Sequence, residues 1–294
     1  MSDGADRWVA HFTAVRPTNG SRHRLAGAFL IALLTAAAPA AIRAAECPTD
    51  EIVPRIPAAR KPFDDAKTGT NIDILKSQLK EYKEGRDGKP GNYDEDIKQV
   101  FDRALAYVQR RVAEAKQPGE EDKPLAIVLD IDETSLSNWP NLRANNFGFI
   151  KGGPCLEEPT LSCGFDEWIL KASAPPIPQA LAFYNTVIDT TSVAVFFITG
   201  RRNSQRQATL LNLDAAGFRG FAGLKTRADD QHDESIVPFK SGQRKVLEQP
   251  DSEGKPYKIK PYKIIATIGD QQSDLEGGFA ECRFKVPNPF YFIP

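Results

Sequence analysis

Two acidic residues follow an apolar run closely in the middle of the chain. The segment Leu125–Leu129 is uninterrupted and apolar, and residues 130–134 after it read DIDET. Carboxylates at this spacing suit two tasks, because one can act as a nucleophile or bind a hard cation while the other transfers protons. We therefore take Asp130 and Asp132 as candidate catalytic residues, and we expect the chain to turn after Leu129 so that both reach one site.

Polar residues also end two later apolar runs. Residues 193–198 precede TGRR at 199–202, and residues 264–268 precede GDQQSD at 269–274. A further candidate, Lys240, is expected to open the helix before the last run. Because the carboxyl ends of parallel strands meet at one sheet edge, which is where open α/β sheets bind ligands, we expect these side chains to converge.

In this order the segments resemble the four motifs of the haloacid dehalogenase (HAD) superfamily. The pattern is D-x-D-x-T after a strand, Thr after a second, Lys at a helix start and G-D-x-x-x-D after a third. More narrowly, residues 130–138 (DIDETSLSN), 239–241 (FKS) with Arg244, 268–275 (IGDQQSDL) and 285–289 (KVPNP) resemble class B acid phosphatases, including plant vegetative storage proteins. The likeness extends from about residue 71 to the C-terminus.

The resemblance implies a secreted, Mg²⁺-dependent acid phosphatase acting on phosphomonoesters. Asp130 would be the nucleophile that becomes phosphorylated, and Asp132 would protonate the leaving alcohol and then deprotonate water. Asp130, the backbone carbonyl of Asp132 and Asp270 would bind Mg²⁺, with Asp274 supporting them from outside the ligand shell. A divalent cation is needed because a phosphate dianion repels an anionic nucleophile.

The phosphoryl oxygens need positive charge and hydrogen-bond donors as well. Thr199, Lys240 and the amide of Gly200 are expected to supply them, so that Thr199 and Lys240 join the catalytic set. Arg201 is assigned to substrate binding, with Arg202 as the alternative. Lys225 also lies between the second and third runs, and sequence spacing favours Lys240 over it without excluding it.

Other functions fit the residues less well. A Ca²⁺ loop starting at Asp130 would need Gly where Ser135 stands and Glu where Asn141 stands. His232 is the only His beyond residue 45, which argues against phosphohistidine catalysis, binuclear His-rich metal sites and a Ser-His-Asp triad. A dehalogenase has little use for Asp132 as a proton donor. A storage or binding protein on the same fold remains the alternative.

The N-terminal 45 residues resemble a secretory signal. Arg22 and Arg24 precede an apolar run at 25–41 that ends in small residues, although a membrane anchor or a buried helix would also fit. Residues 1–45 hold five Arg, no Lys and two Asp, a charge of +3, which leaves −4 for the remainder because the whole chain is −1. We predict a periplasmic or secreted protein with a small-molecule substrate, no nucleic-acid polymer and no membrane association after cleavage.

All four cysteines lie beyond the predicted leader. This placement suits two disulfides in an oxidising compartment, and among the three pairings we favour Cys155 with Cys163 and Cys47 with Cys282. Free buried thiols are the alternative.

Strands that alternate with helices predict an α/β fold with a doubly wound, Rossmann-like parallel sheet. Residues 46–123 are expected to form an N-terminal arm and two helices, with apolar stripes at 72–82 and 97–112 and Asn92 capping the second. Residues 124–294 would form the core, with helices at 178–189, 204–216 and 241–248. A small cap insertion is expected at about 138–177, where the sequence is long and irregular.

Overall fold

The computed structural model describes residues 46–58, 71–116, 123–153, 164–231, 235–250 and 260–293. The predicted leader and the Cys155 and Cys163 pairing lie outside these ranges. The strands are β1 (Leu125–Leu129), β2 (Ala194–Arg202), β3 (Gly223–Arg227), β4 (Lys263–Gly269) and β5 (Cys282–Lys285). All pair in parallel in the order β3-β2-β1-β4-β5, which confirms the predicted α/β fold.

Helices cover both faces of this sheet. They are α1 (Ile72–Glu84), α2 (Tyr93–Glu114), α3 (Trp139–Ala144), α4 (Phe165–Leu170), α5 (Pro178–Thr190), α6 (Arg206–Ala215), α7 (Ile236–Glu248) and α8 (Gln272–Leu275). A 3₁₀ turn, Asn203–Gln205, precedes α6. No helix among the described residues is long and apolar enough to cross a membrane.

The central strand β1 has a buried core on each side. Ile127 and Leu129 belong to a large cluster that includes apolar side chains of α2 and α5, whereas Ala126 and Val128 pack with Leu247 of α7. Successive residues of a strand point to opposite faces, so a strand covered on both sides must be apolar throughout. The apolar run that follows Pro124 is explained by this position.

The two edge strands were not predicted. β3 (GLKTR) and β5 (CRFK) mix polar with apolar residues and are only partly buried. An edge strand is covered less completely than a central one, so its sequence lacks the continuous apolar run that marked the others.

Two predicted element boundaries need correction: the end of β2 and the start of α7. β2 continues through Arg202, so Thr199 lies within the strand rather than after it. α7 begins at Ile236 instead of 241, which places Lys240 in its second turn. Pro238 hid this start, although Pro is tolerated in the first turn of a helix because the N–H groups there have no intrahelical partner.

The N-terminal helices occur where the apolar spacing predicts them. α1 ends at Gly85, whose φ of 80° suits glycine. Only Leu79 and Tyr82 of its predicted stripe are buried, however, since Ile72 and Leu75 are 65% and 39% exposed. Asn92 occupies the cap position of α2 as predicted, but its side chain makes no cap hydrogen bond and instead donates to the carbonyl of Arg55.

The arm before α1 is tied to the far end of the chain by a disulfide. Residues 46–58 have no regular structure, and Cys47 is bonded to Cys282 at the start of β5. This confirms one of the two favoured pairings. Asp96 of α2 also binds the arm, because it accepts hydrogen bonds from the backbone and side chain of Arg55.

Candidate active site

The chain turns sharply after Asp130, one residue later than expected. The Asp130 amide donates to the Ile268 carbonyl, and this bond extends the pairing of β1 with β4. The amides of residues 134–136 then all donate to the carbonyl of Ile131. Glu133 adopts a φ of 52° within this turn. The Ser135 hydroxyl donates to the Asp130 carbonyl at 2.6 Å. These bonds fix the backbone on which both Asp130 and Asp132 stand.

Lys240 reaches two of the predicted carboxylates. Its Nζ donates to Oδ1 of Asp130 at 2.7 Å and also to Oδ1 of Asp274. All three side chains are at least 93% buried. Burial disfavours the ammonium, but the two carboxylates together raise the pKa of Lys240 above its ordinary value. Lys225 instead lies on β3 with a partly exposed side chain.

A glycine lets Asp274 approach the end of β4. A Cβ atom at position 269 would lie 2.2 Å from the Cβ of Asp274, which no side chain could tolerate. Asp274 then accepts a hydrogen bond from the Gln271 amide at 2.8 Å, and Arg244 of α7 donates to its backbone carbonyl. The G-D-x-x-x-D spacing therefore has a steric reason.

Carboxylate oxygens of Asp130, Asp270 and Asp274 all lie within 4.8 Å of one another. Burial, and then the charge of Asp274, raise the pKa of Asp130 well above its usual range and that of Asp270 to about 6. If all three are ionised, Lys240 offsets one charge and leaves −2. A divalent cation would balance that charge, and hard oxygen ligands suit Mg²⁺, so these residues fit a metal site. A carboxylate oxygen of Asp274 lies within this group, and its role outside the ligand shell stays a prediction.

Asp132 is held apart from this group by an ion pair. Arg201 Nη2 lies 2.7 Å from its Oδ1, and Asn138 Nδ2 donates to the same oxygen at 2.9 Å. Burial alone would raise the pKa of Asp132, but the Arg201 charge and these hydrogen bonds lower it.

Three of the predicted phosphate-binding residues, Thr199, Gly200 and Arg201, lie along the end of β2. Thr199 is fully buried, and its hydroxyl accepts a hydrogen bond from the Arg201 amide at 3.2 Å. Gly200 is exposed beside them. The Arg201 side chain is only 1% exposed and pairs with Asp132. This position does not support the prediction that Arg201 binds substrate. Arg202 instead pairs with Asp166 at the start of α4.

Comparison with known families decides the identity of this site. A family model described as HAD superfamily, subfamily IIIB (Acid phosphatase) matches residues 66–294. The chain belongs to this family of acid phosphatases.

Relatives of the phosphatase agree with this assignment. It is 32% identical to Acid phosphatase 1 of Solanum lycopersicum over 216 residues, which is 73% of each chain. It is 27% identical to Vegetative storage protein 2 of Arabidopsis thaliana over 224 residues, 76% of this chain and 75% of the other. The family predicted from the motifs is confirmed, and the family match identifies the chain as a phosphomonoester hydrolase.

A solved structure shows the shared fold. The class C acid phosphatase from Bacillus anthracis with tungstate bound matches with a TM-score of 0.53 at 20% identity, over 74% of this chain and 85% of that one.

Residues without a predicted role complete the site of the phosphatase. Glu133 is 1% exposed and accepts hydrogen bonds from the Asn138 amide and the Tyr291 hydroxyl. Burial, and then the charges of Asp270 and Asp132, raise the pKa of Glu133 to about 8. Trp168 of α4 is buried and donates to Asn138 Oδ1 at 2.8 Å, so this indole packs inside the region of the predicted cap. Glu133 and Asn138 lie within the DIDETSLSN motif at residues 130–138, and their membership of that motif is what could have indicated a role for them.

Proposed function

We propose that the phosphatase hydrolyses small phosphomonoesters through a phosphorylated Asp130, with Mg²⁺ as cofactor. The cluster of three buried carboxylates, two of which pair with Lys240, carries this proposal, because it combines a nucleophile, a cation site and a fixed positive charge in one place. Asp130, Asp270 and the backbone carbonyl of Asp132 would hold Mg²⁺, with Asp274 beside them. When bound, the ion supplies charge that offsets the repulsion between phosphate and carboxylate.

In the first step an Asp130 oxygen attacks phosphorus as the bond from phosphorus to the ester oxygen breaks. Asp132 gives its proton to the departing alcohol. In the second step Asp132 removes a proton from water, which attacks phosphorus and releases inorganic phosphate and the Asp130 carboxylate. Lys240, Thr199 and the Gly200 amide stabilise the phosphoryl oxygens during both steps.

Arg201 acts on Asp132 in this proposal. The ion pair between them favours the carboxylate, which is the form that accepts a proton from water. The first step requires the protonated form, and a phosphate dianion beside Asp132 would raise its pKa toward that form. The assignment of Arg201 is therefore changed from substrate binding to control of Asp132.

We further propose that the phosphatase is exported after removal of residues 1–45. The disulfide of Cys47 supports this, because the bond begins just beyond the predicted leader and disulfides persist mainly in oxidising compartments. N-terminal sequencing of the protein from the periplasm or culture medium would test the cleavage. A protein recovered there with residues 1–45 intact would contradict it.

Storage without catalysis is the second candidate. It is favoured by the likeness to Vegetative storage protein 2. The presence of Asp130, Asp132 and Lys240 argues for catalysis instead, since Lys240 pairs with Asp130 and Arg201 pairs with Asp132.

Hydrolysis of p-nitrophenyl phosphate distinguishes the two candidates. We expect turnover by the wild type at acidic to neutral pH, loss of turnover with EDTA and recovery with Mg²⁺. Asp130→Asn should be inactive, whereas the exposed Asp189→Asn should match the wild type. Activity of Asp130→Asn at the Asp189→Asn rate would remove the nucleophile assignment. A folded but inactive wild type would favour storage.

A further inference from the structure

Residues 285–293 run across the carboxyl end of β4. We call residues 285–293 the C-terminal segment. The Val286 amide donates to the Gly269 carbonyl at 2.8 Å, and Lys285 Nζ donates to the backbone carbonyl of Asp270. The chain thus passes directly beside the metal-site carboxylate.

Asn288 donates to that carboxylate, and its orientation is fixed. Its Nδ2 lies 2.7 Å from Oδ2 of Asp270, while its Oδ1 accepts the backbone N–H of Phe290 at 3.0 Å. A flipped amide would place two donors together at Phe290 and two acceptors together at Asp270. Only the observed orientation satisfies all of these groups.

Gln271 repeats the arrangement from the other side. Its Nε2 donates to Oδ2 of Asp270 at 2.6 Å, and its Oε1 accepts the Ile293 backbone N–H at 3.1 Å. Two N–H donors therefore occupy Oδ2. From the residues that the structure describes, Oδ1 receives only the Thr134 hydroxyl, at 3.1 Å, so it is the oxygen with a lone pair left for a cation.

The C-terminal segment is itself anchored at two points. Phe290 is 7% exposed, and its ring lies 5.5 Å from that of Tyr93 and 5.1 Å from that of Trp139. The Tyr291 hydroxyl donates to Glu133 at 2.7 Å. Packing against residues of α2 and α3 thus fixes the position of Asn288.

We infer that the C-terminal segment is a positioning element for the metal site: Asn288 directly, and the Ile293 amide through Gln271, hold Asp270 with Oδ1 facing the cation. The inference rests on the proposed function, because it assumes that Asp270 binds Mg²⁺. Neither Asn288 nor Ile293 touches the reacting atoms. Loss of either contact lets the carboxylate rotate, which weakens Mg²⁺ binding without removing a ligand.

Calorimetric titration of Mg²⁺ into the full chain tests this without relying on turnover. Asn288→Leu has a similar volume and no donor, and we expect its Kd for Mg²⁺ to rise by about tenfold or more. The exposed Asn185→Leu on α5 serves as the matched control and should bind as the wild type does. The kcat of Asn288→Leu at saturating Mg²⁺ should stay within about threefold of the wild-type value.

A second pair of variants separates positioning from folding. Ile293→Pro removes the N–H that orients Gln271, whereas Ile293→Ala keeps it, and Ile293 itself is 45% exposed, so either change removes little packing. We expect Ile293→Pro to raise the Kd for Mg²⁺ by about threefold and Ile293→Ala to leave it unchanged. This pair decides the question if Asn288→Leu does not fold.

Unchanged Mg²⁺ affinity in Ile293→Pro, and in Asn288→Leu if it folds, would overturn the inference. A fall in thermal stability with normal affinity would likewise assign the segment a purely structural role. Failure of the proposed function looks different, since the wild type itself would then bind no Mg²⁺ in the calorimeter.

Discussion

The Nζ atom of Lys240 lies 2.7 Å from Oδ1 of Asp130, although 110 residues separate them in the chain. The pair joins the second turn of α7 to the end of β1, and it places a fixed positive charge against the proposed nucleophile. That charge offsets the carboxylate in the resting site, and in the proposed mechanism it stabilises the phosphoryl oxygens when substrate enters.

Replacement of Lys240 by Met should therefore abolish most of the activity. We expect kcat/KM for p-nitrophenyl phosphate to fall by about 10²-fold to 10³-fold, because one stabiliser of transition-state charge is lost. Lys225→Met is the matched control, and its kcat/KM should remain near that of the wild type. A comparable loss in the Lys225 variant would contradict the placement of Lys240, and circular dichroism would establish that both variants fold.

Asp132→Asn should slow turnover by about 10²-fold to 10⁴-fold with alkyl phosphates. The variant lacks the carboxyl group that serves as the acid in the first step and as the base in the second. A leaving group that needs no proton, such as p-nitrophenolate, should restore the first step but not the second. The rate of alcohol release in a single turnover measures this. Equal defects in that step with both substrates would argue against Asp132 as the acid.

The contacts of Glu281 predict a pH-dependent contribution to stability. Burial opposes its charge, but hydrogen bonds from Arg111 and Lys263 lower the pKa of Glu281 below its ordinary value of 4.5. A carboxyl with a lowered folded pKa stabilises the fold above the unfolded pKa and loses that effect as pH falls through the folded value. Glu281→Gln should cost about 1 kcal/mol at pH 7, a figure reduced for solvent screening.

Urea unfolding of Glu281→Gln and the wild type at pH 7, 5 and about 3 measures that cost. The difference in unfolding free energy should be constant from pH 7 to 5 and shrink below the ordinary pKa of 4.5. A difference that grows on acidification would have the wrong sign and would rule out the explanation.

The disulfide predicts a larger effect on stability. Cys47 and Cys282 are separated by 235 residues, and a constraint on so long a loop in the unfolded chain is worth about 5 kcal/mol. The Cys47→Ala, Cys282→Ala double variant should lose that amount in urea unfolding without reductant. An unchanged midpoint would mean that the disulfide contributes nothing to the stability of the fold.

The sequence predicted the elements that are buried on two faces. The central strands and the order of the motifs could be identified because double burial demands continuous apolar runs, and acidic residues end those runs abruptly. The edge strand β3 carries Lys225 and other polar residues, so its pattern resembles that of a loop. Asn92 has a typical capping residue type, yet a tertiary contact with Arg55 takes its side chain away.

The sequence predicted which residues lie in the site better than it predicted the contacts between them. Asp130, Asp270 and Lys240 follow from the motifs, whereas the pairing of Arg201 with Asp132 depends on where a long side chain points. Asn288 lies 18 residues from Asp270, and only folding places its amide on that carboxylate. Sequence spacing carries no information about such contacts.

Trapping of the phosphorylated enzyme tests the central claim most directly. Asp132→Asn mixed with p-nitrophenyl phosphate and Mg²⁺ should release one equivalent of nitrophenolate in a burst. Acid quench and peptide mass spectrometry should then find the phosphoryl group on Asp130. A burst with no phosphorylated peptide, or with the phosphoryl group on another residue, would contradict Asp130 as the nucleophile.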